Sequence, residues 1–239
     1  MTALEAARFF AALTTVPDDV GGPERLCQAC LRVLAFERAA IAVDVESTGR
    51  ELLCASDSVA ERIEGLQATV GEGPGIEAAI TGMPVILDDF ATIHRRWPLL
   101  GAALDLSDCG AMYALPLQVG AVRVGVLDLY RVRPGRLERA DWVAATSVAR
   151  MVTMILLGDG RADGNGSNVV LGSWWDSAPR AQEIHQASGM IAVQLTVSVR
   201  QAYARLQAHA FAGDRTLGDV AHDVVTRQLR FDPAAEQAG

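Results

Sequence analysis

The sequence contains no lysine and few aromatic residues, and it lacks a long hydrophobic run. All 21 basic side chains among its 239 residues are arginines, and aromatic residues make up 5%. The longest apolar run, Met151–Leu157, is far too short to cross a bilayer. The first ten residues include Glu5 and lack an early basic cluster, so we expect no signal peptide. These absences favour a cytoplasmic protein.

Cysteine chemistry is not indicated either. The four cysteines are Cys27, Cys30, Cys54 and Cys109. Cys27 and Cys30 form a C-x-x-C pair, but this pair lies inside a helical pattern, and no second pair completes a tetrahedral zinc site. We therefore expect buried small residues, with no metal site and no catalytic residue. An enzyme that uses Cys54 or Cys109 is the weakest hypothesis, because no histidine or acid is placed in the sequence to activate either thiol.

Charge is distributed unevenly along the chain. Residues 1–179 hold fifteen arginines and twenty-three acids, a net of −8, whereas residues 180–231 hold six arginines and four acids, a net of +2. A locally basic segment on an acidic protein suits a polyanionic partner. Because +2 is a small charge, specific contacts rather than bulk attraction would have to provide most of the binding.

The region before residue 158 alternates between helical and strand patterns. Helices are predicted at Ala3–Thr14, Pro23–Phe36, Ser58–Leu66, a short segment from Pro74, and Leu137–Leu157. Strands are predicted at Arg38–Val45, Arg50–Ala55, a segment after Met83-Pro84, Ala111–Leu117 and Arg123–Tyr130. Strands joined by short turns pair as hairpins, so this order predicts an α+β fold with an antiparallel sheet.

The segment from Asp88 to Asp108 has two interpretations. It holds His94, Arg95 and Arg96 in a stretch without clear periodicity. It is either a lid over a ligand pocket or a surface loop whose Trp97 is fixed in the core. Pockets are few in a protein and loops are many, which favours the loop.

Three motifs in this region resemble those of the GAF domain family. They are the Gly-Glu-Gly-Pro-Gly run at Gly71–Gly75, the segment Thr81–Val85, and Gly125–Leu129 at the end of the paired strands. The resemblance covers residues 1–157 and implies a sensor domain. No ligand signature accompanies it, and no cofactor is expected beyond an unidentified small-molecule ligand. Gly71–Gly75 lacks the lysine of a phosphate-binding loop, so we interpret it as a turn.

Residues 158–179 are rich in glycine and predict a flexible linker. In the helix before the linker, four apolar residues recur at near-heptad spacing: Ala145, Val148, Val152 and Ile155. This stripe would allow packing against a second copy of the chain.

Residues 180–239 predict three short helices and a tail. The first runs from Arg180 to Leu195. The second begins with a Ser198-x-x-Gln201 capping box, and the third begins at Thr216, with an apolar stripe from Leu217 to Leu229. Gly189 interrupts the first helix at a cost of about 1 kcal/mol relative to alanine, so we expect something to approach closely there.

These helices resemble the ANTAR domain, a bacterial RNA-binding module. The matching residues are the run Ala187-Ser188-Gly189-Met190-Ile191, then Ala202, Tyr203, Leu206 and Ala210, then Arg215, Leu217, Val220 and Ala221. Ser188 stands where many members carry lysine. The resemblance implies an RNA-binding transcription antitermination regulator that recognises paired stem-loops with hexanucleotide loops. Two loops suit a homodimer, with one loop for each copy.

Residue type and position select the candidate RNA contacts. Arg205 and His209 share a helix face at i, i+4, and Arg215 precedes helix N–H groups that favour phosphate. The alternative for each arginine is a solvated surface charge. The full candidate set is Gln186, Ser188, Gly189, Arg205, His209, Arg215 and Thr216.

A second hypothesis is a DNA-binding transcription regulator, because three short helices also form helix-turn-helix units. Its recognition helix would have to present polar residues to the bases. The segment Leu217–Leu229 is instead mostly apolar and carries Asp219 and Asp223, which repel a DNA groove.

Overall fold

A computed structural model describes residues 3–17, 22–45, 49–104, 109–158, 161–162, 169–170, 179–213 and 215–232. The helices are α1 (Ala3–Thr15), α2 (Gly22–Val33), α3 (Ser58–Val70), α4 (Pro74–Thr81), α5 (Pro98–Ala103), α6 (Arg139–Gly158), α7 (Pro179–Leu195), α8 (Val199–Ala212) and α9 (Leu217–Val225). The strands are β1 (Arg38–Val45), β2 (Gly49–Ala55), β3 (Val85–Leu87), β4 (Ala111–Val119), β5 (Val122–Arg131), β6 (Arg161–Ala162) and β7 (Val169–Val170).

The N-terminal domain is built on a five-stranded sheet in the order β2-β1-β5-β4-β3. Every neighbouring pair in this sheet is antiparallel, which confirms the predicted α+β fold. Alternate residues of a strand point to opposite faces, so the sheet buries two separate cores. Helices α1, α2 and α6 cover one face, and α3, α4 and α5 cover the other.

Helix α6 belongs to the first of these cores. Ala145, Val148 and Val152 are buried there, and Ile155 packs against them. The near-heptad stripe is therefore used inside the domain, and the prediction that it contacts a second copy is wrong. Among the described residues, α6 is also the one helix long and apolar enough to span a membrane by length and composition. Its packing against the sheet identifies it as a core helix.

The segment after β3 is more regular than the sequence indicates. A 3-10 helix covers Phe90–Arg95, and α5 follows directly. Asp89 caps the first helix by accepting from the Ala91 N–H at 3.0 Å. Trp97 is buried in the second core, as the loop interpretation predicted, but the chain around it is helical.

Two of the cysteines are paired. A disulfide joins Cys27 in α2 to Cys54 in β2, whereas Cys30 and Cys109 are free and buried. All four cysteines are buried, as expected for small core residues. The two members of the C-x-x-C pair do not act together, because Cys27 is paired with Cys54, a partner that was not predicted. Burial raises the pKa of the Cys30 thiol to about 12, so this thiol is a poor nucleophile.

Alkylation of the unfolded protein is expected to label two cysteines before reduction and four after it. Reduction is expected to lower the free energy of unfolding by about 3 kcal/mol, because the bond closes a loop of 27 residues in the unfolded chain. Mass spectrometry counts the labels, and urea titration with and without reductant measures the stability. Four labels before reduction would show that Cys27 and Cys54 are thiols.

The predicted linker contains the short β6–β7 pair, in which Arg161 faces Val170 and Ala162 faces Val169. The other residues between 159 and 178 lie outside the described part of the chain. The C-terminal domain, formed by α7, α8 and α9, follows this segment.

Candidate nucleic-acid interface

The second and third helices of the C-terminal domain begin where the sequence predicts. Ser198 Oγ accepts a hydrogen bond from the Gln201 N–H at 3.2 Å, and Gln201 Oε1 accepts from the Ser198 N–H at 3.0 Å. Thr216 Oγ1 accepts from the Asp219 N–H at 3.2 Å. Such caps satisfy N–H groups that a helix start leaves without intrahelical partners. They fix where α8 and α9 begin.

The three helices share one small core, which uses the predicted apolar stripes. Its buried members are Ile184, Ala187, Ile191, Ala202, Leu206, Ala210, Leu217, Val220, Ala221, Val224 and Phe231. Helix α9 is shorter than predicted and ends at Val225 instead of Leu229. The Thr226 hydroxyl donates back to the His222 carbonyl at 2.7 Å, and Arg227 takes a left-handed φ of 63° that a helix cannot continue.

The opposite face of α7 forms a shallow open groove. We define the α7 groove by its lining residues Gln186, Gly189, Met190, Val193 and Gln194. Val193 is 82% exposed, which is unusual for an aliphatic side chain. A Cβ placed on Gly189 would meet no heavy atom of the described residues within 4 Å. Within the part of the chain that the structure describes, no neighbour therefore requires a glycine at this position.

Ser188 does not line this groove. It is fully buried, and its hydroxyl donates to the Ile184 carbonyl at 2.8 Å. The hydroxyl is directed back along the helix, as serine often does in helix interiors. Ser188 is therefore not on the surface that RNA could contact, which corrects its place among the candidates.

Arg205 and His209 are exposed on the side of α8 that faces away from Tyr203 and the N-terminal domain. The His209 ring packs edge-to-face on Phe231 with centroids 5.2 Å apart. The Phe231 N–H donates to Gln194 Oε1 at 3.0 Å. Phe231 therefore connects the His209 side of α8 to the α7 groove. Sequence reasoning missed Phe231, and its only signal was an aromatic residue just beyond the last helix.

Arg215 and Thr216 lie at a different edge. Arg215 forms an ion pair with Asp223 at 2.7 Å, and Thr216 caps α9. The prediction placed free N–H groups beside them, but the Leu217 N–H donates to Thr69 Oγ1 of α3 at 3.0 Å. One of the N–H groups expected to bind phosphate is therefore already engaged by the N-terminal domain.

The candidates thus divide into two groups. Gln186 and Gly189 line the α7 groove, and His209 joins it through Phe231. Thr216 faces the N-terminal domain, whereas Arg215 beside it is exposed and pairs with Asp223.

The N-terminal domain contains a buried ionic cluster. Arg50 donates to Glu64 at 2.8 Å and also to Asp128, and Tyr130 donates to Glu64. Gln67 Nε2 donates to Glu64 Oε1 at 2.7 Å. The Arg50 side chain is 8% exposed and Asp128 is fully buried. Burial, followed by the nearby Glu64 carboxylate, raises the pKa of Asp128 well above its usual range.

Helix α3 connects this cluster to the C-terminal domain. We call this contact the seam; it comprises Gly65, Ala68 and Thr69 of α3, and Gln207, Thr216 and Leu217 of α8 and α9. Gln207 Nε2 donates to the Ala68 carbonyl at 2.5 Å, and Thr69 accepts from Leu217. Ala68 also packs against the C-terminal core. The two domains therefore bury side chains against each other.

Two cavities flank the seam, and both have Arg50 in their walls. The first has a volume of about 150 Å³ and lies between Glu61 of α3 and the Leu217–Asp219 turn. The second, of about 350 Å³, extends from Arg123 to Tyr203. Within the described residues, no three histidine, cysteine or acidic side chains converge as metal ligands. Both cavities use walls from both domains, so anything bound there would contact both.

Comparison with family models assigns the two domains. The GAF domain model matches residues 24–156, more than half of the chain. The chain belongs to the GAF domain family. The ANTAR domain model matches residues 180–225. No curated protein matches the sequence.

Solved GAF domains are among the similar structures. The GAF domain of an Acinetobacter phosphoenolpyruvate-protein phosphotransferase is 11% identical, with a TM-score of 0.47, and covers 68% of this chain and 100% of its own. The corresponding domain from Coxiella burnetii is 13% identical, with a TM-score of 0.44 and coverages of 63% and 89%. A GAF region of a Geobacter sulfurreducens membrane protein is 17% identical, with a TM-score of 0.44 and coverages of 63% and 96%.

All seven predicted contact residues lie within the ANTAR match, whereas Phe231 lies beyond it. The ANTAR domain thus provides the α7 groove, and the segment after its last matched residue closes the groove at the His209 end. The buried ionic cluster lies in the GAF domain, one helix away from the ANTAR domain.

Proposed function

We propose that this protein is an RNA-binding transcription antitermination regulator. Its ANTAR domain binds RNA with paired stem-loops through the α7 groove, under the control of the GAF domain. Residues 1–157 act as the sensor, residues 158–179 as the linker and residues 180–239 as the output. The protein acts in the cytoplasm, where transcripts are made. Both matched families are sensory and regulatory, which supports a function without catalysis.

One observation carries this proposal. Gly189 weakens α7 by its position in a helix interior, yet none of the described residues approaches within 4 Å of the space a Cβ would fill. A base of a bound RNA is the close neighbour that this glycine would admit. The groove around Gly189 offers amide side chains from Gln186 and Gln194, and the His209 ring lies at its end. Amides that hydrogen-bond and rings that stack are the groups that recognise unpaired bases of an RNA loop.

We propose further that the binding unit is a homodimer. Paired stem-loops present two loops at a fixed spacing, and two linked output domains bind them with a high effective concentration for the second loop. The stripe on α6 does not provide the dimer contact, because it is buried. The exposed residues of α6, which include Val143 and Met154, leave another face of that helix accessible.

The sensor input is proposed to be a small molecule. The cavity of about 150 Å³ between α3 and α9 is large enough for a ligand the size of a single ring. A ligand there shifts the protein between two states only if it binds them unequally. The affinity differs between the docked and undocked states because both domains contribute walls, and undocking removes the walls of one domain from the site.

Electrophoretic mobility shift compares three nucleic acids in about 0.15 M salt: a tandem hexaloop RNA, the same RNA with scrambled loops, and duplex DNA. Binding that depends on the loop sequence is expected. Equal binding to both RNAs, or tighter binding to the DNA, would contradict the proposal and favour a DNA-binding regulator.

Gly189→Ala is expected to separate stability from RNA binding. The new methyl group improves helix propensity, so the free energy of unfolding should rise by about 1 kcal/mol. The same methyl group obstructs a base that approaches the helix, and affinity for the tandem RNA should fall about tenfold, which corresponds to about 1.4 kcal/mol. Urea titration and the mobility shift measure the two effects.

Gly158→Ala is the matched control, because its Cβ also meets none of the described residues within 4 Å but lies at the end of α6. This variant should leave RNA affinity unchanged. An unchanged affinity for Gly189→Ala as well would remove the α7 groove from the RNA site.

A further inference from the structure

The seam covers part of the ANTAR domain surface. On α8, Tyr203 and Gln207 are one turn apart and face the GAF domain, and Gln207 bonds to the Ala68 carbonyl. On α9, the first N–H belongs to Leu217 and is taken by Thr69. The turn that carries Arg215 and Thr216 leads directly into this contact. The GAF domain therefore occupies the edge of the ANTAR domain that holds Thr216, one of the predicted RNA contacts, while Arg215 beside it stays exposed.

The cavity beside the seam has more acidic than basic side chains in its walls. Glu51, Glu61 and Glu64 line the cavity beside the seam, and Asp219 of the ANTAR domain completes it. Two arginines, Arg50 and Arg62, also line it, so the carboxylates outnumber the guanidinium groups by two. The Arg50 charge is already shared between Glu64 and Asp128. Of the GAF carboxylates, Glu51 and Glu64 are buried, so Glu61 is the one that a phosphate near this edge would meet at short range.

The α7 groove shares no lining residue with the two cavities beside the seam and remains open in the docked arrangement. Docking thus affects the candidate residues unequally. The groove residues and Arg215 stay accessible, whereas Thr216 lies against Gly65 and the Leu217 N–H is engaged by Thr69. An RNA that also needs the turn at Thr216 and Leu217 loses those contacts on the docked protein. A protein that makes fewer phosphate contacts binds RNA more weakly.

We infer that the seam is an autoinhibitory contact: the GAF domain, docked through α3, competes with RNA for the Thr216–Leu217 edge of the ANTAR domain. This inference rests on the proposed function and adds its regulation. RNA and docking exclude each other at this edge, so each weakens the other by the same factor. A small molecule that loosens the seam then raises RNA affinity without contacting the RNA.

Gly65 allows a direct test. A Cβ at Gly65 would lie 3.7 Å from Thr216 Cβ, which is ordinary contact, so Gly65→Ala fits within the seam. The larger side chain of Gly65→Leu extends beyond that contact and separates the domains. Both variants improve the helix propensity of α3 relative to glycine. They differ mainly in the bulk of the side chain that is placed between the two domains. Thr69→Val provides a second route, because it keeps the shape of the side chain but removes the acceptor for the Leu217 N–H.

Two measurements on the full chain are needed. Hydrogen exchange at the Leu217 amide reports docking, and the mobility shift with the tandem RNA reports affinity. Gly65→Leu and Thr69→Val are expected to accelerate exchange at Leu217 and to tighten RNA binding by about fivefold or more. Gly65→Ala should match the unmodified protein in both measurements.

The outcomes are distinguishable. Faster exchange with unchanged or weaker RNA binding overturns the autoinhibitory contact while leaving the proposed function intact. Exchange that Gly65→Leu does not change shows that the seam does not form in solution, and also overturns it. Absence of loop-dependent binding in every variant, docked or undocked, instead overturns the proposed function itself.

Discussion

Replacing Arg50 with methionine is expected to lower the free energy of unfolding by about 3–5 kcal/mol. Methionine keeps much of the side-chain volume but leaves Glu64 and Asp128 buried without their cation. Glu64 would retain hydrogen bonds from Gln67 and Tyr130, whereas Asp128 would lose its arginine. Urea titration at neutral pH measures the loss. A cost below about 1 kcal/mol would show that the cluster is hydrated rather than buried.

Asp128→Asn is the contrasting variant. Burial raises the pKa of Asp128 in the folded protein above its unfolded value, so the folded state binds the extra proton more readily. The stability linked to that proton is fully present below the unfolded pKa and is lost as pH rises through the folded pKa. Asparagine resembles the protonated form in size and carries no charge, so this pH dependence should disappear in the variant.

The two variants together show whether Asp128 is protonated or ionised in the cluster. Stability at neutral pH should fall strongly for Arg50→Met and change little for Asp128→Asn, because asparagine matches the protonated carboxyl group in size and charge and keeps an oxygen that can accept from Arg50. If Asp128→Asn were as harmful as Arg50→Met, Asp128 would be ionised and fully paired with Arg50.

Local signals in the sequence located most elements of both domains. The caps at Ser198 and Thr216 and the period of the apolar residues are properties of neighbouring positions, and the helices begin where they predict. The C-terminal end of α9 was harder to predict from the sequence. Thr226 bonds back to the carbonyl of His222 and Arg227 turns left-handed, although the apolar pattern continues to Leu229.

Contacts between residues that are far apart in the sequence could not be predicted from such local signals. The pairing of Thr69 with Leu217 spans 148 positions, and no pattern around either residue indicates the other. Cys27 and Cys54 are similar, because their sequence context predicts burial but not a partner. Ser188 shows the same limit on a smaller scale: its residue type permits an RNA contact, and only packing shows that its hydroxyl is directed into the helix.

The glycines show both what could be predicted from the sequence and what could not. The Gly71–Gly75 run was interpreted as a turn, and Gly71 does end α3 with a φ of 73°. Gly75 has a second role that the sequence did not reveal. A Cβ there would lie 2.4 Å from Arg50 Nη1, so the absence of a side chain lets α4 pack directly on the ionic cluster.

Gly125→Ala is expected to have the largest effect on stability, with a loss above about 4 kcal/mol. Gly125 lies in β5 between β1 and β4, opposite Val43 and Leu117. A Cβ there would be 2.0 Å from the Ala42 carbonyl oxygen and 2.8 Å from Val43 Cα. Both atoms are backbone in a central strand, so they can move only if the β1–β5 pairing opens.

Gly120→Ala is the control, because it isolates the cost of backbone conformation. Gly120 has a φ of 58° in the β4–β5 turn, and a Cβ there meets nothing within 4 Å. Alanine in a left-handed conformation costs about 1–2 kcal/mol without any clash. Urea titration of both variants should therefore differ by at least about 2 kcal/mol. Equal costs would show that β1 moves at little cost to accommodate a side chain at position 125.

Asp128 follows Gly125 in the same strand and pairs with Ala40 of β1. Opening the β1–β5 pairing at Gly125 would also displace Asp128 from Arg50. The Gly125→Ala variant should therefore lose both the strand pairing and the ionic cluster.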